Sequence, residues 1–113
     1  MALQLHNEGL QLKVGVATAL TITSGIITKS RSYHKIDTES AAASDDLDTI
    51  NGGAEGDILV IRATSSSRTV VAKDNTGNLQ LAGDCTLDNA EDTLTLIYDG
   101  TNWLELARSG NGA

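Results

Sequence analysis

Proline and phenylalanine are both absent from the 113 residues. Without proline no corner is fixed at φ near −65°, so turns must be made by the 11 glycines and by Asn and Asp. Aromatic residues make up only 3% of the chain. The core must therefore be built from Leu, Ile, Val and Ala, which stabilise by about 25 cal/mol per Å² buried, and oligomerisation is a natural source of further burial. A single cysteine, Cys85, excludes an internal disulfide. Its surroundings, "LAGDCTLDN", hold no base that would activate a thiol, which predicts a small buried apolar residue. Two histidines, His6 and His34, are too few for a zinc site made of His and Cys. No apolar run reaches the length of a membrane-spanning helix. The opening "MALQLHNEGLQLK" has no basic stretch followed by an apolar one, so no signal peptide is expected and the chain reads as used without export.

The length suits one domain, which buries roughly two-thirds of the surface its unfolded chain exposes. The net charge of −7 is uneven. Residues 1–36 carry four basic residues against one acid, and residues 37–113 carry four against fourteen. An acidic body argues against nucleic acid as a partner, which needs a basic surface. The basic leading third suits an acidic partner or the acidic body of another copy.

Alternation with a period of two dominates the chain. "LQLKVGV" (10–16) sets Leu10, Leu12, Val14 and Val16 on one face and Lys13 on the other. "LTIT" (20–23) repeats the pattern, and "GIITKSRSYHKI" (25–36) is β-branched. Residues 37–57 show no β pattern, and their alanines and acids predict a helical turn capped by Ser44 or Asp45. Strands then recur at 57–63, 68–73, 79–83, 85–89, 93–98 and 103–107, separated by "TSSS", "DNTGN" and "DGTN". Short strands at this spacing predict an all-β fold, a compact antiparallel β-sandwich or barrel. Asp99 and Gly100 form a hairpin turn, and Trp103 is the largest piece of the core. The tail "RSGNGA" is expected to be flexible unless it packs on a neighbour.

Catalytic and metal patterns are weak. Neither histidine lies in a nucleophile elbow, and His34, beside Tyr33, reads as a surface or interface residue. "DNTGN" starts like a calcium loop but has Leu79 and Cys85 where Gly and Glu are needed. Asp45, Asp46 and Asp48 suit solvated turns better than a hard cation. Arg68 and Lys73 read as a polar hairpin rather than an anion site. No enzyme activity, cofactor or metal is expected.

Residues 33–109 carry an ordered set of pieces: "DTINGG", "GDILVIRA", "AGD" followed by "LDN", and "DTLTLIYDGTNWLEL". This segment resembles a β module of tailed-bacteriophage virion proteins, found near the ends of tail-fibre and head-fibre chains and in small capsid decoration proteins. The resemblance implies a trimeric β domain on a virion and brings no catalytic residues. The reading that follows divides the chain into an extended, strand-rich anchoring segment, 1–32, and a β domain, 33–113. It expects a capsid decoration protein made in the host cytoplasm and carried on the capsid surface, with the major capsid protein and further copies of itself as partners and no membrane contact. Leu10, Leu12, Lys13, Val14 and Val16 would make the contact. The alternative is a short head- or tail-fibre protein that binds a host-surface receptor or glycan through tip residues such as Asn75, Asn78, Thr101 and Asn102.

Overall fold

The computed structural model describes residues 12–112. Alternation in the sequence becomes alternation in burial. In β6 (Ile58–Ala63) and β10 (Thr93–Tyr98), Leu59, Ile61, Ala63, Leu94 and Leu96 are buried while their neighbours along each strand are not. These strands form the centre of a six-stranded sheet. Its other members are β1 (Thr18–Thr21), β3 (Tyr33–Asp37), β8 (Leu79–Gln80) and β11 (Trp103–Ser109), in the order β1-β3-β6-β10-β11-β8. Two smaller sheets supply the second layer. One is β4 (Ser44–Leu47), β7 (Thr69–Ala72) and β9 (Cys85–Leu87); the other is β2 (Ile26–Thr28) with β5 (Thr49–Asn51). Buried side chains of all three sheets meet in one apolar cluster, with Trp103 its largest member. The fold is an all-β sandwich, as the strand spacing predicts.

The expected antiparallel pairing holds for β6–β10, β10–β11 and β7–β9. The other five pairs, β1–β3, β3–β6, β2–β5, β4–β7 and β8–β11, are parallel. The chain first winds. It leaves the large sheet after β3, crosses the second layer as β4 and β5, and returns as β6 alongside β3. Parallel neighbours need a crossover of a dozen or more residues, usually a helix; here short strands make it. From β9 onward the chain doubles back and closes the fold with the β10–β11 hairpin. Period-two alternation is the same in both kinds of pairing, so the pattern alone does not separate them.

Residues 37–57 depart from their predicted helical turn. A single 3-10 turn occupies Glu39–Ala41, and β4 and β5 follow it. Asp45 does satisfy a backbone donor, but it is Glu39 N–H at 2.8 Å rather than the start of a downstream helix. The expected division at residues 32/33 runs through continuous sheets, because β1 and β2 are hydrogen-bonded to β3 and β5. Of the predicted strand 10–16, Leu10 lies outside the described residues, and residues 12–16 carry no strand pairing.

Two side chains hold the winding together. Asn78 accepts from Ile50 N–H at 2.9 Å and donates to Ile50 C=O at 2.8 Å, so its amide stands where a neighbouring strand's peptide would. Its own N–H donates to Asp48 C=O, and its C=O accepts from Trp103 N–H at 2.7 Å. The Trp103 indole N–H takes the second lone pair of Ile50 C=O at 3.1 Å. Gly77 permits this approach: its φ is +57°, and a Cβ there would collide with Asp48 C=O. His34 does the same at the other end. Its Nε2 accepts from Ser30 N–H and Arg31 N–H, both at 3.1 Å, so Nδ1 carries the hydrogen and donates to Thr18 C=O at 3.0 Å. His34 is fully buried; the expectation of a surface residue fails because its ring closes the β2–β3 turn onto β1.

Replacing Asn78 by Ala leaves the Ile50 N–H of a buried residue without its partner and should lower unfolding free energy by about 1–3 kcal/mol. Trp103→Ala should cost about 3–5 kcal/mol. Both act on Ile50, so the two losses should not add. Urea denaturation of the single and double variants checks this; an additive pair, or a loss below ~0.5 kcal/mol for Asn78→Ala, contradicts the arrangement.

Candidate interaction surface

The sandwich has two ends, a seam and two broad faces, and each holds different chemistry. At one end the loops 52–57, 74–78 and 99–102 gather around Trp103 and Tyr98, whose ring centroids are 4.8 Å apart. Gly53 lies against both rings, where a Cβ would come within 2.7 Å of the indole. Asp99 Oδ1 accepts from Asn102 N–H at 2.7 Å and Thr101 N–H at 2.8 Å, which fixes the hairpin tip. Of the predicted tip residues, Asn75 and Thr101 are exposed and Asn102 is half-buried. Asn78 is committed to Ile50 and is not a free contact residue.

The seam lies between β9 and β11. There the β10–β11 register shifts between Thr95 and Leu96. In a regular strand, residues three apart point to opposite faces. The bulge turns both Glu105 and Arg108 inward and lets them pair at 2.7 and 2.8 Å. Arg108 also donates to the carbonyls of Gly83 and Asp84, and Glu105 accepts from Ala82 N–H, so the pair clamps the β8–β9 loop. A hollow of about 170 Å³ beside it is lined by Cys85, Asp92 and Arg108 among others. Burial raises the Cys85 thiol above its usual range, which leaves it without nucleophilic character, in line with its predicted apolar role. Four of the five N–H donors of Arg108 are engaged in this clamp. The tail beyond β11 is tied to the chain itself: Asn111 and Gly112 N–H both donate to Asp92 Oδ1, at 2.8 and 3.0 Å. The expectation of a flexible tail therefore fails for these two residues.

Two of the three aspartates of 45–48 are separately occupied. Asp45 accepts from backbone N–H groups, and Asp48 accepts from Thr49 Oγ1 at 2.8 Å. Among the described residues no three of His, Cys, Asp and Glu come together in a metal-binding arrangement, and no helix is long and apolar enough to cross a membrane. His6 lies outside the described residues.

Of the predicted contact residues, the four that are described lie on the surface. Leu12, Val14 and Val16 are 70%, 39% and 82% exposed, and Lys13 is exposed between them. Leu12, Lys13 and Val14 line a shallow hollow with Ser32, Gly56, Asp57 and Ile58. Gly15, at φ +87°, breaks the extended run that alternation predicts.

Fold and surface together define a small β-sandwich module whose polar side chains are spent on holding loops and strand ends. The chain belongs to the phage depolymerase C-terminal beta sandwich domain family, whose model matches residues 27–104. It is thus a β-structured structural domain of bacteriophage virion proteins, as the ordered sequence pieces imply. No curated protein and no solved structure matches the chain. The matched segment begins inside β2 and ends inside β11, so β1 and the Glu105–Arg108 clamp lie beyond it.

Charge on this frame predicts its response to acid. Asp37 is held below the usual carboxylate range by Arg68, Asp84 by Lys73, Glu105 by Arg108, Asp92 by the N–H of Gly112 and Asp99 by the N–H of Asn102. Groups depressed in the folded state stabilise it fully above their unfolded values, near pH 4, and less as pH falls through the folded ones. Melting temperature should therefore fall as pH drops below about 4. A thermal melt at each pH from neutral to strongly acid checks this, and a flat profile contradicts it.

Proposed function

We propose that this chain is a non-catalytic, fibre- or spike-type domain at the host-facing end of a phage virion, where it contacts a receptor or glycan of the host surface. The family match over residues 27–104 carries this reading, since it supplies the C-terminal sandwich of depolymerases and no catalytic domain. It favours the fibre alternative over capsid decoration. The loop end supports the same reading: exposed Asn75 and Thr101 and half-buried Asn102 stand on turns made rigid by Asp99 and by the Asn78–Ile50 contact. Rigid loop ends lose little entropy on binding. The chain hydrolyses no glycan by itself on this reading.

The leading segment supports a second role, attachment to another virion protein such as the major capsid protein. Leu12, Val14 and Val16 expose apolar surface beside Lys13 without belonging to a sheet. Such a segment suits strand addition to a partner's sheet edge. Decoration of the capsid surface rests on this feature alone.

One pair of assays separates the two roles. The purified chain, and a truncation starting at Ala17 that keeps β1 to β11, are tested for binding to host cells and to empty phage heads. The expected result is host-cell binding by both forms, reduced at least about tenfold by Thr101→Arg with Asn102→Arg. Head binding that disappears with residues 1–16, together with no host-cell binding, supports decoration and overturns the fibre reading.

A further inference from the structure

Two turns stand side by side at the loop end. Residues 54–57 are closed by Asp57 N–H, which donates to Ala54 C=O at 3.0 Å, and residues 99–102 by Asp99 N–H, which donates to Asn102 C=O at 3.0 Å. The turns are joined through β10: Gly56 N–H donates to Tyr98 C=O at 2.8 Å, and Tyr98 N–H to Asp57 C=O at 3.0 Å. Each turn is held again by a carboxylate, since Asp57 Oδ2 accepts from Ala54 N–H and Asp99 Oδ1 from the N–H groups of Thr101 and Asn102. Exposed Glu55, at the tip of the first turn, reaches the second. A Cβ on Gly100 would lie 3.7 Å from Glu55 Oε1. The bare glycine therefore leaves the Glu55 carboxylate open beside Asp99, Thr101 and Asn102.

The polar groups left over at this edge are mostly acceptors. Glu55 offers two oxygens and Asp99 its Oδ2, with the Thr101 hydroxyl and the Asn102 amide next to them. The loops 52–57, 74–78 and 99–102 carry Glu55, Asp57, Asp74 and Asp99 and no Lys, Arg or His. Lys29 is paired with Asp57 at 3.3 Å, and Lys73 with Asp84 at 2.8 Å. Lys13 stands on the other flank of the 52–57 loop, in the hollow with Ser32 and Ile58, and Arg31 adjoins Ser32 in the chain. A carboxylate accepts hydrogen bonds and does not donate them. Sugar hydroxyls donate, and hydrogen bonds to a carboxylate are about twice as strong as those between neutral groups. A sugar bearing a carboxylate or phosphate would instead set like charge against Glu55 and Asp99, which rejects a partner.

We infer that the loop end selects uncharged sugars. The Glu55 carboxylate and Asp99 Oδ2 take sugar hydroxyls, Thr101 and Asn102 bind beside them, and acidic polysaccharide is turned away. This rests on the host-contact reading and gives that site its ligand class and a specificity residue, Glu55.

Competition for host-cell binding tests it. The host's surface polysaccharide is separated by anion exchange into uncharged and acidic fractions, and each is added to the full chain with host cells. The uncharged fraction should block binding and the acidic fraction should not. Glu55→Gln, which keeps the shape and removes the charge, should weaken binding by at least about tenfold, with an unchanged melting temperature showing that the turn survives. Lys13→Ser with Arg31→Ser should leave the preference as it is. Blocking by the acidic fraction overturns the proposal, as does binding indifferent to Glu55→Gln or lost with Lys13 and Arg31. Cell binding that neither fraction blocks also overturns it and leaves the host-contact reading standing with a receptor that is not a glycan. Absence of any cell binding removes that reading as well.

Discussion

The N–H and C=O of Ile50 point away from β2, on the side where β5 has no strand beside it. Both lie inside a buried stretch, where an unpaired peptide group costs about 1–3 kcal/mol. The chain fills this place with side chains: the Asn78 amide takes both groups, and the Trp103 indole takes the carbonyl's remaining lone pair. The backbone of Asn78 at the same time bonds Asp48 on one side and Trp103 on the other. One residue thereby links the small β2–β5 sheet to β11 of the large sheet. The layers are fixed to each other at the point where the winding half of the chain meets the half that doubles back.

That link also sets the surfaces. Holding Trp103 in place fixes the register of β11 against β10, and the bulge further along brings Glu105 and Arg108 together at the seam. The same register lays Leu104 beside Ile97 and leaves Leu106 outward. At the loop end it keeps the 99–102 turn beside Gly53 and the 74–78 loop. Here rigidity comes from side chains that complete backbone hydrogen bonds, because the sequence has little aromatic bulk and no proline to supply it.

Much of this was legible beforehand. Alternation located β6, β7, β9, β10 and β11 to within two residues, and identified Trp103 as core and Asp99–Gly100 as a hairpin turn. The ordered pieces between 33 and 109 pointed to phage virion proteins, which the family match bears out. The rest depends on contacts distant in sequence. Asn78 looks like a polar tip residue because its partner is 28 positions away. His34 looks exposed because the groups that satisfy it are backbone atoms of residues 18, 30 and 31. "SDDL" and "TIN" carry no alternating pattern long enough to read as strands and become β4 and β5 because β7 and β2 lie alongside. Parallel winding was hidden for the same reason: alternation states which side chains share a face, not which way the neighbouring strand runs. For the loop-end site, a single signal was available, the Gly-Asn pair at 77–78, where glycine precedes an amide that can mimic a peptide.

Native-state hydrogen exchange at the backbone amides of Ile50 and Trp103 tests the central role of this link most directly. If Asn78 holds the layers together, both amides should exchange only through global unfolding, and Asn78→Ala should speed them together with the β6 and β10 amides. Exchange at Ile50 and Trp103 through a local opening, with β6 and β10 still protected, would contradict the account.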